Sequence, residues 1–167
     1  MARSRGPSGL KDLHARHTVG SVDPLDSLAE WSSWLPFLKG CDTAPRTPGV
    51  YLAKDAADVV YVGMAAERRG QGIRGRLTVY RRGRAAVSGL GEAAMDRALA
   101  DPRWLRQRLQ QVEAGKVWRT RDWASAALER ADLQVRWASV TTGAEARLLE
   151  RLVLDALAAT PLWNRAR

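Results

Sequence analysis

The sequence predicts an α+β domain in which a three-stranded antiparallel sheet is flanked by helices, with a helical insertion before the third strand. Three observations predict it. Two short β-branched runs, Pro48-Gly49-Val50-Tyr51-Leu52-Ala53 and Asp58-Val59-Val60-Tyr61-Val62-Gly63, are separated by the polar Lys54-Asp55-Ala56-Ala57, which is hairpin-loop length. A further run over 133–140 starts with alternation of Leu133, Val135 and Trp137 against Gln134 and Arg136. Elsewhere apolar residues recur at helical spacing. A chain of 167 residues, 46% hydrophobic and carrying seven tryptophans, suffices for one domain with a real core.

Residues 1–22, with Arg3, Arg5, Lys11 and Arg16 and few large apolar groups, read as a flexible basic arm, and 23–167 as a single domain. Asp23-Pro24 is a cap and first-turn pair, and Leu25, Leu28, Ala29, Trp31 and Leu35 then predict a helix ending at Pro36. After the hairpin, a Gly-rich loop from Met64 to Gly72 leads into a helix with Ile73, Arg76, Leu77 and Tyr80 on one stripe, so Arg76 interrupts an apolar face. The insertion covers about 83–131. Within it, 90–131 reads as two or three helices broken at Asp101-Pro102 and Gly115, with Thr120 capping the last. The sheet is assigned to 48–54, 58–63 and 133–140.

Thr142-Gly143-Ala144-Glu145 opens the final helix with a capping box. Glu150 falls on the column of Ala146, Val153, Leu154 and Leu157, whereas Arg147, Arg151 and Asp155 mark the wet side. A carboxylate therefore stands where the pattern asks for an apolar group.

Lys and Arg total 27 against 18 Asp and Glu, a net charge of +9 that favours polyanionic partners: nucleic acid first, an acidic membrane surface second. The lone Cys41 excludes an internal disulfide framework or a multi-cysteine metal site and reads as an inert thiol in a reducing compartment. No apolar run approaches the roughly 20 residues that span a bilayer, and none follows the N-terminal basic residues. The expectation is a soluble, cytoplasmic protein with no membrane partner. His14 and His17 lack carboxylate or cysteine neighbours and are expected to do nothing; the tryptophans read as packing anchors.

Tyr51 and Tyr61 share a sheet face only in a suitable register, and a hairpin this short leaves few to choose from. Cleaving a phosphodiester requires a polarised water, stabilised charge on the nonbridging oxygens and help for the leaving alkoxide, and two tyrosines, Arg76, Glu150 and a metal can supply all three. Arg76 forks onto a nonbridging oxygen, Glu150 holds one Mg²⁺ (or Mn²⁺) with water completing the shell, and cationic neighbours are expected to lower a phenol toward phenolate.

These residues resemble the GIY-YIG nucleases over roughly residues 46 to 164. Gly49-Val50-Tyr51 looks like the first motif, with Gly49 its structural glycine, and Tyr61-Val62-Gly63 like the second, with Gly63 in that place. Arg76-Leu77 followed by Tyr80 resembles the family's Arg-Leu helix, Glu150 its metal-binding glutamate, and Pro161-Leu162-Trp163-Asn164 its Pro-x-aromatic-Asn ending, in which the asparagine braces the site. The resemblance implies a metal-dependent DNA endonuclease with Tyr51, Tyr61, Arg76, Tyr80, Glu150 and Asn164 at its centre. It favours Tyr51 as base, with Tyr61 as partner or alternative. Arg74, which competes with Arg76, and Arg81, Arg82 and Arg84 beyond the helix are expected to hold DNA. One such site cuts one strand, so double-strand cleavage calls for a homodimer, the expectation here, or for two sequential events.

The rival is an acetyl-CoA-dependent N-acetyltransferase. Gly70-Gln71-Gly72-Ile73-Arg74-Gly75, preceded by Arg69, is a literal G-x-G-x-x-G whose amides would cradle a pyrophosphate. That fold requires several strands before the loop, and only two are found; a Rossmann reading fails for want of a βαβ crossover. A catalytically silent nucleic-acid-binding module is the third alternative.

Overall fold

Proline cannot continue a helix from within, and Pro36 instead ends a two-residue strand, β1 (Leu35–Pro36), and stands at the N-cap of α1 (Phe37–Thr43). The structure, a computed structural model, describes residues 24–67 and 70–165. The basic arm, His14, His17 and Asp23 lie outside the described residues. β2 (Gly49–Lys54) and β3 (Val59–Ala65) form the expected hairpin, its loop closed by Asp55, whose Oδ1 accepts from the amides of Ala57 (3.1 Å) and Asp58 (3.0 Å). Then follow α2 (Gly72–Arg81), α3 (Gly89–Leu99), α4 (Pro102–Glu113), α5 (Thr120–Arg130), β4 (Gln134–Ser139) and α6 (Gly143–Ala156).

The sheet has four strands, not three, in the order β1-β4-β2-β3, every neighbouring pair antiparallel. The added strand is β1, whose two residues pair with Val135 and Gln134. Two residues carry no period. The helix expected before Pro36 is absent. Residues 24–28 make a single turn, with Leu28 N donating to Leu25 O at 3.1 Å, and the chain beyond turns its bonds outward. Ser32 N donates to Trp137 O (2.8 Å), Trp137 N donates to Ser32 Oγ (3.1 Å), and the Trp31 and Trp34 rings face the Arg136 guanidinium at 5.0 and 4.9 Å. Spacing that suits a helix suits this cross-sheet contact as well.

Period-two alternation sends Val50, Leu52, Val62 and Ala138 to one face, where Leu149 and Val153 of α6 and Leu25 cover them. Tyr51, Ala53, Tyr61 and Val135 go to the other, under α1, α2 and the insertion. The insertion breaks where the sequence says. Asp101 caps α4 through the amides of Arg103 (2.9 Å) and Trp104 (3.3 Å), and Gly115 turns at φ +87°. Arg119, not Thr120, is the N-cap of α5, with Asp122 reaching back to the Arg119 amide at 2.9 Å. The Thr142/Glu145 capping box forms as expected. Cys41 is buried and its thiol is pushed up to about 12, chiefly by desolvation, which makes it unreactive. No helix among the described residues is long and apolar enough to cross a membrane.

Candidate active site

The hairpin register decides whether the phenols meet. Tyr51 pairs with Gly63 and Tyr61 with Ala53, which puts both rings on one face, centroids 6.3 Å apart and 24° from parallel. Gly63 is required by that arrangement. A Cβ there would lie 2.3 Å from Tyr51 Oη and 2.5 Å from Cζ, so the motif glycine is the floor on which the opposite phenol rests. Gly49 likewise admits the Ala138 carbonyl, which would stand 2.2 Å from any Cβ.

The amphipathic stripe of α2 brings up the next two groups. Tyr80 is buried, its hydroxyl 3.0 Å from Tyr51 Oη, and Arg76, one turn earlier, lays its guanidinium 5.0 Å from the Tyr80 ring centroid. Arg76 is half-buried, and its Nε is enclosed without a hydrogen-bond partner among the described residues. The polar atoms converge at Gly89, which opens α3 at φ +57°. A Cβ at that glycine would sit 2.5 Å from Tyr80 Oη, 3.0 Å from Tyr61 Oη and 3.3 Å from Arg76 Nη2. Nothing in the sequence marks Gly89 as part of the site; a Ser-Gly pair before a helix signals only a boundary.

Glu150 stands on α6, which covers the sheet face opposite Tyr51 and Tyr61, and acts on Arg76 and Tyr61 through its charge. It is half-buried. Its pKa is raised by desolvation, against the lowering pull of Arg147, the Met64 backbone amide and Arg76. Its charge in turn contributes to raising the Tyr61 phenol, so the carboxylate and phenol share one field. Asn164 bonds the edge strand in both directions, Nδ2 donating to Val62 O (2.8 Å) and Oδ1 accepting from Val62 N (3.1 Å). Trp163 N adds a bond to Val60 O at 2.6 Å.

One expectation needs correction. The phenols are not lowered: burial, then the neighbouring tyrosines, raise Tyr51 and Tyr61 well above the ordinary phenol value, and the opposing pull of Arg76 is smaller. Tyr51, 1% exposed and bonded to Tyr80, is also the more enclosed of the two. Tyr61 borders a cleft of about 470 Å³, whose walls include Gly89, Glu92, Asp96, Trp163 and Asn164. Arg165 bridges Glu92 (2.7 Å) and Asp96 (2.8 Å) at its rim. Arg74 is half-buried, its Nε donating to Ala44 O at 2.6 Å and its amide to Pro45 O at 2.9 Å. Arg81 pairs with Asp42 at 2.5 Å, while Arg82 and Arg84 are exposed.

The Gly70–Gly75 loop spends its amides internally. Ile73 N donates to Thr47 O (3.0 Å), Arg74 N to Pro45 O, and Gly75 N to Gln71 O (2.7 Å). Gly72 admits the Arg46–Thr47 backbone, whose Thr47 O would stand 2.0 Å from any Cβ there. Among the described residues no three His, Cys, Asp or Glu side chains gather. A divalent ion at Glu150 would thus have one protein carboxylate and otherwise water or phosphate oxygens, a donor set that fits magnesium and not zinc. No protein-family model, curated protein or solved structure matches this chain.

Proposed function

We propose that the chain is a GIY-YIG-type endonuclease that hydrolyses DNA phosphodiesters with a divalent ion. The observation that carries this reading is the convergence of Tyr61 Oη, Tyr80 Oη and Arg76 Nη2 on one point before Gly89, with Glu150 in the same electrostatic field. Few structural purposes are served by gathering an arginine, three phenols and a half-buried carboxylate at a sheet edge, and such groups are costly to desolvate without a charged ligand.

In this mechanism Arg76, fixed in the α2 stripe, forks onto the nonbridging oxygens and stabilises the charge that develops there. Tyr61, a phenol that is protonated at neutral pH and that burial holds further from ionising, orients the attacking water through its hydroxyl lone pair. Tyr51 and Tyr80 hold each other, and Tyr80 in turn supports Arg76. The water oxygen bonds to phosphorus as its proton passes to solvent, the bond to the leaving deoxyribose oxygen breaks, and that oxygen leaves with a proton from solvent. Glu150 would hold the ion, which when bound neutralises phosphate charge and acidifies a coordinated water. Asn164 fixes the edge strand that carries Tyr61.

The N-acetyltransferase reading is disfavoured by the spent amides of its loop. Supercoiled plasmid incubated with MgCl₂ or MnCl₂ tests the proposal. Nicked or linear product is expected from the wild-type chain and none from Glu150→Ala, with Arg76→Ala binding DNA but not cutting it. Failure of the wild-type chain to cut duplex, branched or single-stranded DNA with either metal, or normal cleavage by Arg76→Ala, would overturn it.

A further inference from the structure

The sequence leaves two basic segments far apart: Arg81-Arg82-Gly83-Arg84 after the α2 helix, and Lys116 to Arg121 before and within the start of α5. The fold joins them. A Cβ at Gly83, where φ is +63°, would fall 2.1 Å from the Arg121 carbonyl oxygen and 2.9 Å from its Cα. Ser125 Oγ donates to Arg81 O at 3.2 Å, stapling the same turn to α5. We infer that these segments form one composite basic ridge, Arg82, Arg84, Arg119, Arg121 and Lys116, that tracks the phosphate backbone of the DNA held at the active site.

All five side chains belong to exposed residues. Lys116 lies over the Trp118 ring at 4.2 Å, which orders a long side chain before any ligand arrives. The opposing charge is already occupied. Asp42 pairs with Arg81, and Asp122 serves the Arg119 amide (2.9 Å) while lying 3.7 Å from Arg121. Among the described residues no carboxylate ion-pairs with Arg82, Arg84, Arg119 or Lys116. Position favours the same ligand. Arg82 follows Arg76 by six residues, about 9 Å along the axis of α2 at 1.5 Å per residue, so the ridge and Arg76 hang on the same helix. The duplex carries about one negative charge per 1.7 Å, which matches a row of cations and not a single anion.

This inference takes its partner from the nuclease reading, and its test separates the two. Binding of a labelled duplex by Glu150→Gln, which leaves the DNA uncut, is followed by fluorescence anisotropy across salt concentrations. The same measurement is made after adding Arg82→Gln, Arg84→Gln, Arg119→Gln and Arg121→Gln, with circular dichroism melts to establish folding. At about 0.9 per cation, the log–log salt slope is expected to flatten by about 3 to 4. Lys54→Gln with Arg151→Gln, both on the sheet face that α6 covers, is expected to leave the slope unchanged. If a folded ridge variant keeps its slope, if the remote pair flattens it as much per residue, or if phosphatidylserine vesicles bind the ridge in preference to DNA, the inference fails. Cleavage by the wild-type chain with an unmoved slope sinks the ridge alone; a lost slope without cleavage leaves the ridge standing and sinks the nuclease.

Discussion

Adding one methyl group at Gly63 tests the geometry on which the site depends. The Cβ of Gly63→Ala would lie 2.3 Å from Tyr51 Oη, 2.5 Å from Cζ and 3.0 Å from Cε2, whereas unstrained carbon contacts begin at about 3.5 Å. The ring or the strand must give by about 1 Å. The ring has nowhere to go: Tyr51 is 1% exposed and its hydroxyl is tied to Tyr80 at 3.0 Å. Overpacking of this kind costs about 1–3 kcal/mol, and the reduced entropy of the unfolded chain returns about 0.4–1 kcal/mol. The net loss of about 1–2 kcal/mol converts, at about 2–4 °C per kcal/mol for a domain of this size, to a melting temperature lower by about 2–8 °C.

Cleavage should suffer more than folding does. A displacement near 1 Å passes from Tyr51 to Tyr80 and Arg76, and misplacement on that scale costs about 100-fold in rate. The assay pairs thermal melting with plasmid cleavage. The cause is checked by a double-mutant cycle with Tyr51→Leu, where the Gly63→Ala penalty should shrink by at least about 0.5 kcal/mol because the colliding atoms are gone. A Gly63→Ala protein that melts at or above the wild-type temperature with cleavage intact would show that the phenol does not rest on this glycine.

Asn164→Ala removes two bonds to Val62, at about 0.5–1.5 kcal/mol each, and should speed hydrogen exchange of the Val62 amide at the open edge of the sheet. Unchanged exchange would disprove the brace. For Glu150, the folded-state pKa is raised, so the folded chain holds the proton longer than the unfolded chain, and stability falls as pH climbs from the ordinary carboxylate value through the raised one. Glu150→Gln should flatten that segment of the stability–pH curve and, while inactive, melt above the wild type at neutral pH; a lower melting temperature there would refute it.

The two tyrosines were legible because both causes are local: a period of two fixes each face and a short loop limits the register. Arg76 and Glu150 were legible as violations, polar groups set in apolar columns that the fold then fills with Leu77, Ala146 and Val153. What escaped depends on contacts between segments that no spacing rule connects. Trp31 and Trp34 are spaced for a helix, yet the guanidinium they meet belongs to a strand a hundred residues away, and its pull is invisible from residues 24 to 36. The phenol acidities failed for the same reason. Counting the nearby arginine predicts a lowered pKa, whereas the larger effect, removal of water by the helices of the insertion and α2, exists only after packing. Gly89 carries the point furthest. It is the insertion's own first helical residue, and its missing side chain is where Tyr61, Tyr80 and Arg76 meet, so the segment that departs most from the resembled pattern forms the fourth wall of the site.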